Sequence, residues 1–579
     1  MQIKSFNDLK KNLKKDFSSF PAIKISVLGD SSTQFLVQSI KATGYDVNLN
    51  FEIYEADYDQ LEHEILDESS ELYKTQSEFV IIFPSTQKLL QKFYETPPAE
   101  KKSFSEKTLE EIYSFTEVIN KNSKSKIIYF NYPEINDSVF GNYGNKTDQS
   151  FIYHLRKINL GLMDLSRSIK NLYINDVCSL QNEYGIDFSF DSKIYVTADI
   201  VYSLDFTSIV AKNIVDIILS LTGRFKKCLI LDLDNTLWGG IIGDDGAEGI
   251  EIGELGIGKA FTELQLWVKQ LKERGIILAV CSKNDFETVK DAFDNHPDMV
   301  LRYDDFTVFI ANWENKADNI KQIQGVLNIG FDSMVFLDDN PFERNMVREF
   351  LPEVCVPELP EDPAEYLTYL RRLNLFETSS FSEEDSGRTE QYKQESDRLQ
   401  IKKSFVNEDE YLASLNMFSE CKSFDSYSIP RVAQLTQRSN QFNLRTIRYT
   451  EDDIEKISNS KDFFTQSFTL EDKFGHNGLI SLIIMQKKND ELFIDTWIMS
   501  CRVLKRTMEN FVLNTIVDIA RKNGFKKIAG EYIPTKKNKM VENHYRNFGF
   551  IQTDDLWKLD AASYDVRKTF ISAKKLIAL

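Results

Sequence analysis

The chain has 579 residues, more than one hydrophobic core supports, so roughly three or four domains are expected. Its net charge of -19 disfavours non-specific binding to nucleic acid. No apolar run approaches the ~18 residues of a membrane span, and the six scattered cysteines form no CxxC pair. These features predict a soluble, cytoplasmic protein without a disulfide framework or a zinc site.

Residues 1–222 are predicted to form a first α/β domain. Apolar side chains recur at helical spacing from Phe6 to Phe17, which predicts an amphipathic helix rather than a signal peptide. Apolar runs then alternate with helical patterns, which is typical of a parallel sheet. Strands are expected at 23–28, 50–54, 79–83, 126–130 and 172–176.

Residues 223–378 are predicted to form a second α/β domain, in which each strand ends in a polar cluster. A helix is expected at 261–274, after a segment (239–258) that holds 8 of the chain's 24 glycines. The strands are expected at 228–231, 276–280 and 334–337.

Two further regions follow. Residues 379–424 are rich in Ser, Glu, Asp, Lys and Gln, a composition typical of a charged, solvated linker. Residues 425–579 are predicted to form a last domain. Its strands are expected at 479–485, 492–500 and 527–532, and its helix at 507–523.

The acidic residues after the strand at 228–231 are the main candidates for catalysis. A buried parallel strand delivers the residues that follow it to the sheet edge where open α/β folds bind ligands. A carboxylate that attacks phosphorus needs a divalent metal, a second acid, and donors for the phosphoryl oxygens. We expect Asp232 to be the nucleophile and Asp234 the general acid/base.

The partners of these two residues come from the same turn and from later motifs of the domain. Mg²⁺ prefers carboxylate ligands, and it is expected on Asp232, Asp234, Asp338 and Asp339. The phosphate is expected on Ser282, Lys316, Thr236 and Asn235.

These motifs carry a resemblance to a known superfamily. DLDNT, Ser282, Lys316 and LDD resemble, in order and spacing, the four signature motifs of the haloacid-dehalogenase (HAD) superfamily. The resemblance implies a Rossmann-like parallel sheet and Mg²⁺-dependent phosphoryl chemistry. The alternative is a degenerate, structural domain that has kept the motifs without the activity.

The wider sequence resembles the FkbH-like subfamily. The matching segments are LDLDNTLWGGIIGDDG, LAVCSKND, NWENKADNI and VFLDDNPFER, and TQRSNQFNLRTIRYT (436–450) fits as well. Members act in polyketide, nonribosomal-peptide and surface-polysaccharide pathways. The resemblance implies a phosphorylated acyl or glyceryl substrate, such as 1,3-bisphosphoglycerate, and an acyl carrier protein that receives the unit as a thioester.

A thioester on this chain itself would need a reactive thiol. Cys281, beside Ser282, is the first candidate and Cys501 the second, although burial as a small apolar side chain is the favoured expectation for both. Trp238 and the glycine-rich segment after it are expected to form a flap over the site. No large inserted cap is evident, so the substrate is expected to be large or carried by a protein.

The first domain resembles SGNH (GDSL-type) hydrolases through VLGDSST, in which Ser31 stands at the nucleophile position. The late DxxH motif of that family is replaced by Asp205-Phe206-Thr207-Ser208, and no histidine falls between His154 and His296. A serine nucleophile needs a base. We therefore expect a degenerate site without hydrolase activity, or one that binds substrate.

The last domain resembles GNAT N-acyltransferases. That family binds the pyrophosphate of coenzyme A at a glycine-containing turn before a helix. Here the turn begins at Arg502 and has Lys505 and Thr507 at the glycine positions, which puts coenzyme A use in doubt. Asn538 and Tyr545 match positions that contact the pantetheine arm or act as an acid.

Lys536, Lys537 and Lys539 form a basic patch that suits an acidic carrier protein, with an ordinary solvated surface as the alternative.

The chain is thus expected to hold three α/β domains. They are an SGNH-like parallel sheet (1–222), a HAD-like parallel sheet (223–378) and, after the linker (379–424), a GNAT-like mixed sheet (425–579). The favoured function is a Mg²⁺-dependent HAD enzyme that removes phosphate from an acyl or glyceryl unit and helps to load it on a carrier protein. The alternatives are a simple phosphomonoester phosphatase, or a GNAT acyltransferase with the HAD domain as scaffold.

Overall fold

The computed structural model describes residues 4–381, 394, 398, 401, 405, 407–439, 441–500, 503–535 and 537–574. The chain divides into two compact units, one within Gln2–Leu219 and the other within Ser220–Leu579. None of the described helices is both long enough and apolar enough to cross a membrane.

The first unit is built on a parallel sheet with the strand order β2-β1-β3-β4-β5. The strands are β1 Ala22–Gly29, β2 Asn50–Glu55, β3 Phe79–Phe83, β4 Lys126–Phe130 and β5 Leu172–Asn175. Strand β3 (FVIIF) is buried along its whole length, as expected for a central parallel strand. The parallel sheet predicted from the alternating pattern is confirmed.

Helices cover this sheet, and most of them lie between consecutive strands. The predicted N-terminal helix is short and continues as a 3₁₀ turn at Lys11–Lys14. The helices are α1 Phe6–Lys10, α2 Gln34–Asp46, α3 Leu61–Leu66, α4 Glu71–Lys74, α5 Thr86–Glu95, α6 Phe104–Asn122, α7 Phe151–Ser168, α8 Val177–Tyr184, α9 Ile186–Ser189, α10 Ser192–Ala198 and α11 Leu204–Leu221.

The second unit begins with a four-stranded parallel sheet in the order β8-β7-β6-β9. Its strands are β6 Cys228–Leu231, β7 Ile277–Ser282, β8 Val308–Ala311 and β9 Met334–Leu337. The helices around it are α12 Ile242–Asp245, α13 Gly258–Glu273, α14 Phe286–Asn295, α15 Lys316–Leu327, α16 Pro341–Phe350 and α17 Tyr366–Leu373.

Residues along this sheet alternate between two apolar cores, because successive side chains of a strand point to opposite faces. Leu229 and Leu231 pack in one core with residues of α13, α14 and α17. Cys228 and Ile230 pack in the other with residues of α15 and α16. Burial on both faces fixes the strands, and their carboxyl ends meet at one edge.

The second unit continues with a nine-stranded mixed sheet, in the order β16-β17-β15-β14-β13-β12-β10-β18 with β11 paired to β12. The strands are β10 Met417–Ser419, β11 Cys421–Lys422, β12 Phe463–Asp472, β13 Gly475–Lys488, β14 Glu491–Met499, β15 Lys527–Gly530, β16 Ile551–Thr553, β17 Leu556–Asp560 and β18 Ile571–Ala573. The helices here are α18 Glu408–Ser414, α19 Ile429–Arg438, α20 Glu451–Asn459, α21 Met508–Lys522 and α22 His544–Asn547.

The predicted linker at 379–424 differs from the structure at its end. Strand β10 pairs with β12 and β18, and β11 pairs with β12, so residues 417–422 belong to the mixed sheet. The apolar residues Leu412, Leu415 and Met417 are buried in its core. The charged composition of the region concealed this apolar end. Most of its earlier part, 382–406, lies outside the described residues.

Candidate active site

Three strands of the four-stranded sheet deliver the predicted catalytic residues to one edge. Asp232 follows β6 directly, and its backbone N–H donates to the Leu337 carbonyl at 2.9 Å, so it stays in register with β9. Asp338 and Asp339 follow β9, and Ser282 is the last residue of β7. The register of parallel strands therefore brings residues from distant motifs together.

Lys316 joins two of the carboxylates in a buried ion-pair network. Its Nζ lies 2.6 Å from Asp338 Oδ2 and 2.9 Å from Asp232 Oδ2. The three side chains are at most 9% exposed. Burial opposes the charge on Lys316, but its attraction to Asp232 and Asp338 prevails and raises its pKa. Lys316 is the first residue of α15, whose N-cap Asn315 accepts from Ala317 N–H.

Asp232, Asp338 and Asp339 form what we call the acidic cluster, since one carboxylate oxygen from each lies within 4.8 Å of the others. Burial, followed by repulsion from Asp232, raises the pKa values of both Asp338 and Asp339. Lys316 offsets only part of this charge. Crowded carboxylates of this kind, with Asp232 and Asp338 buried and Asp339 half-buried, favour a further cation.

The donor set of the acidic cluster fits Mg²⁺. Its ligand atoms are hard carboxylate oxygens at the edge of a rigid sheet, the type of ligand that Mg²⁺ takes in proteins. The Arg344 guanidinium holds the backbone of this edge, because its Nη1 donates to the carbonyls of Asp338 at 2.8 Å and Asp339 at 2.6 Å.

Asp234 was expected among the metal ligands, but it does not belong to the acidic cluster. Its Oδ1 accepts from the Trp238 indole N–H at 3.0 Å and from Ile242 N–H at 3.1 Å. Its Oδ2 accepts from Asn284 Nδ2 at 2.9 Å. Three donors therefore fix the orientation of this carboxylate beside the cluster.

Asn235 and Thr236, the two residues after Asp234, form part of the turn that follows β6. Asn235 has a left-handed backbone, φ +52°, and its Oδ1 accepts from Gly240 N–H at 3.0 Å. Asparagine is among the few residue types that tolerate this conformation. Thr236 is fully buried, and its Oγ1 accepts from Asp339 N–H at 3.1 Å. Both side chains hold the loops of the site in place.

Ser282 is buried at the end of β7, and its Oγ accepts from Asn284 Nδ2 at 3.1 Å. The hydroxyl proton of Ser282 thus remains available for donation. Asn284 joins Ser282 to Asp234, a role that the sequence did not predict although the residue lies in the same motif. Lys283 Nζ contacts Glu343 Oε1 at 2.5 Å, which links the end of β7 to α16.

The prediction that Trp238 forms part of a flap is wrong. Trp238 is fully buried and packs edge-on against Phe293, at 5.5 Å between ring centroids. After it, the backbones of Gly239 and Glu251 pair as an antiparallel bridge. A large ring that also donates to Asp234 belongs to the core beneath the site.

Cys281 is fully buried in the core between the sheet and α15, and its thiol contacts the Lys316 carbonyl at 3.7 Å. Burial raises the pKa of this thiol well above its ordinary value, so the nucleophilic thiolate is disfavoured. The structure thus argues against a thioester on Cys281. Cys501 lies outside the described residues.

The SGNH-like residues of the first unit are not joined into a catalytic group. Ser31 is 2% exposed, and its Oγ has no partner among the described residues. Asp205 instead accepts from the Phe6 N–H at 2.9 Å. Both ring nitrogens of His154 are used elsewhere, by Ser105 Oγ and the Asp148 carbonyl.

The two GNAT-like residues that the structure describes, Asn538 and Tyr545, are both buried. Asn538 is fully buried, and its Oδ1 accepts from Thr535 N–H at 2.7 Å. Tyr545 is 1% exposed. Arg502 lies outside the described residues. In the basic patch, Lys536 lies outside the described residues and Lys537 forms an ion pair with Asp332.

Comparisons with known proteins identify the family. Residues 24–219 match the family model described as FkbH, N-terminal domain. A crystal structure of the N-terminal part of the protein BF1531 from Bacteroides fragilis, which contains a phosphatase domain and is complexed with Mg, is 51% identical. That match covers 65% of this chain and 100% of that chain with a TM-score of 0.63.

Two further matches concern acetyltransferases. The ribosomal-protein-S18-alanine N-acetyltransferase of Escherichia coli is 14% identical, over 25% of this chain and 94% of that chain, with a TM-score of 0.20. The GNAT domain of S. lividans PAT is 15% identical, over 24% of this chain and 89% of that chain, with a TM-score of 0.20. Likenesses this weak say nothing about activity. No curated protein matches this chain.

This chain is 51% identical in sequence to the BF1531 structure over the whole of that structure, and its residues 24–219 match the FkbH N-terminal domain. The chain is therefore a member of the FkbH-like family of the HAD superfamily.

Proposed function

We propose that the second unit is a Mg²⁺-dependent phosphatase with Asp232 as nucleophile. The observation that carries the proposal is the buried network of Lys316, Asp232 and Asp338, with Asp339 beside it. It is supported by the 51% identity to a structure that contains a phosphatase domain complexed with Mg.

The reaction proceeds in two displacements on phosphorus. In the first, a carboxylate oxygen of Asp232 forms a bond to phosphorus, the bond to the leaving oxygen breaks, and Asp234 gives that oxygen a proton. In the second, Asp234 takes a proton from water, the water oxygen attacks the aspartyl phosphate, and inorganic phosphate leaves. The three donors to Asp234 hold it in place for both proton transfers.

Binding of the phosphoryl group is assigned to residues around the acidic cluster. Lys316 supplies positive charge, and Ser282 donates its hydroxyl proton. Asp232, Asp338 and Asp339 would hold Mg²⁺, which offsets negative charge on the reacting phosphoryl group.

The substrate is proposed to be a phosphorylated acyl or glyceryl unit such as 1,3-bisphosphoglycerate. The thiol of an acyl carrier protein loses its proton, attacks the acyl carbon and expels the acyl phosphate as inorganic phosphate, which leaves a thioester. The displacements at Asp232 hydrolyse the remaining phosphate ester.

Membership of the FkbH-like family supports this substrate, and so does the absence of any large cap among the described residues between β6 and β7. The buried Cys281 favours the carrier's own thiol as the acceptor. The same burial equally favours a simple phosphomonoester phosphatase, which is the second candidate. Intact-mass analysis of a carrier protein incubated with 1,3-bisphosphoglycerate and enzyme separates the two.

Asp232→Asn tests the phosphatase. The amide keeps the shape of the side chain but is a poor nucleophile, so phosphate release should fall by at least about 10³-fold. Phosphate release from p-nitrophenyl phosphate, with and without MgCl₂, measures this. Asp318→Asn on the exposed side of α15 serves as the control and should keep wild-type activity. Activity of Asp232→Asn within tenfold of wild type would contradict the assignment.

A further inference from the structure

The mixed sheet of the second unit opens between two of its parallel strands. β14 and β15 pair from Glu491↔Lys527 to Ile494↔Gly530. Beyond this point β14 continues to Met499, whereas β15 ends at Gly530. Adjacent strands lie about 4.8 Å apart, so where β15 no longer pairs with β14 another segment can take its place beside β14.

The chain's own residues 442–445, which we call the closing segment, lie in this gap. On the side of β14, Met499 N–H donates to the Phe442 carbonyl at 3.2 Å, and Asn443 forms an antiparallel bridge with Ile498. On the opposite side, Ile533 N–H donates to the Leu444 carbonyl at 2.9 Å. The closing segment thus makes backbone hydrogen bonds to both walls of the gap.

Arg445 fixes the closing segment where the two strands part. Its guanidinium forms an ion pair with Asp495 at 2.7 Å and with Glu531 at 2.8 Å. These two acids are the residues that follow the last paired residues of β14 and β15. Asn538, fully buried, donates from Nδ2 to the Asn443 carbonyl at 3.0 Å.

The turn before α21 also forms hydrogen bonds within the protein. Lys505 and Thr507 keep the left-handed backbone of the glycine positions they fill, with φ +63° and +60°. The Lys505 N–H donates to Glu509 Oε1 at 3.4 Å, which brings a carboxylate to the helix terminus where an anion would bind. Thr507 Oγ1 accepts from Phe570 N–H, so the segment before β18 lies against this turn.

We infer that the closing segment occupies the gap in which an acyltransferase of this fold takes the pantetheine arm, so that this chain does not bind coenzyme A. An extended ligand with amide groups would need the backbone donors and acceptors that residues 442–445 already use. Coenzyme A, whose use the sequence had already put in doubt, therefore does not fit, and the motif at 436–450 acquires a role. A consequence, which rests on the proposed function, is that coenzyme A does not supply the acyl unit that is passed to the carrier.

The inference is tested on the full-length protein with coenzyme A and acetyl-coenzyme A. Isothermal titration to millimolar ligand should give no saturable heat. Hydrogen exchange should find the amides of Met499 and Ile533 protected without ligand and unchanged by it. Saturable binding to the wild-type protein, or rapid exchange of both amides, would overturn the inference.

The variant Arg445→Ala distinguishes a specific role of Arg445 in holding the closing segment from a general contribution to the stability of the sheet. Loss of both ion pairs should speed exchange at Ile533 by about tenfold. Lys558→Ala is the matched control, since it removes the ion pair with Glu491 at the far end of the β14–β15 pairing. Unchanged exchange in Arg445→Ala, or an equal increase in Lys558→Ala, would overturn the role of Arg445. Coenzyme A binding gained only by Arg445→Ala would support occupation of the gap directly.

Discussion

At the scale of residues, the acidic cluster concentrates more charge than Lys316 offsets. Asp232, Asp338 and Asp339 approach one another in a buried site, and the pKa values of Asp338 and Asp339 are raised despite the neighbouring ammonium group. Burial weakens solvation, so neighbouring carboxylates can stay together only if a cation binds between them or one of them takes up a proton. The same balance explains why a metal suits these oxygens.

A buried aspartate outside this site, Asp30, allows the free-energy cost of burying a carboxylate to be measured. Asp30 follows β1 in the first unit, and burial raises its pKa to about 6 although Ser85 N–H donates to both of its oxygens. The folded state therefore holds this proton more tightly than the unfolded state, for which the ordinary value is 3.8. The contribution of Asp30 to the free energy of unfolding is then highest below the unfolded pKa and falls by about 3 kcal/mol as the pH rises from about 4 to 6.

Asp30→Asn should remove this pH dependence, because the amide keeps an acceptor for Ser85 without taking up a proton. Urea unfolding at several pH values, followed by hydrogen exchange of β1 and β3 peptides in the full-length protein, measures it. Asp57→Asn, an exposed position in the same unit, is the control. Parallel pH profiles for wild type and Asp30→Asn would rule out the assignment.

At the scale of elements, the site depends on links between strand ends and helices. Lys283 after β7 pairs with the buried Glu343 of α16, and Arg344 of the same helix holds the backbone of Asp338 and Asp339. Helix α16 thus connects the residues assigned to phosphate with those assigned to metal. Ion pairs with a buried partner are worth more than exposed ones, since solvent screens them less.

A double-mutant cycle on Lys283 and Glu343 tests this link. We expect a coupling free energy of about 1 kcal/mol or more in unfolding experiments on Lys283→Met, Glu343→Gln and the double variant. The exposed pair Lys290 and Asp294 of α14 provides the comparison, with coupling below about 0.5 kcal/mol. Equal coupling in the two pairs would mean that Lys283 contributes no more than a surface charge.

The sequence was informative about the catalytic edge and less so about the mixed sheet. Asp232, Ser282 and Asp338 could be predicted to meet, because each follows an apolar strand and parallel strands end at one edge. The burial of Trp238 and the contacts of Arg344 could not be predicted, since they depend on side-chain packing between distant segments. The closing segment is the same kind of case: its pairing with β14 is non-local and leaves no periodic pattern.

At the level of the whole molecule, the described residues form three sheets, and the four-stranded sheet carries the groups that we propose for phosphoryl transfer. In the first unit, no described hydrogen bond joins Ser31 to a base. In the second unit, the gap of the mixed sheet is filled by residues 442–445. We therefore propose that the chemistry of this FkbH-like protein takes place at the edge of the four-stranded sheet that holds Asp232.

The most direct test is to trap the phosphoryl group on the enzyme. The protein is mixed with 1,3-bisphosphoglycerate or p-nitrophenyl phosphate and MgCl₂, quenched in acid, reduced with borohydride and digested for mass spectrometry. Borohydride converts an aspartyl phosphate to homoserine, which should appear at Asp232 in wild type and not in Asp232→Asn. Homoserine at another carboxylate, or phosphate release with no modified residue and undiminished activity of Asp232→Asn, would contradict the account.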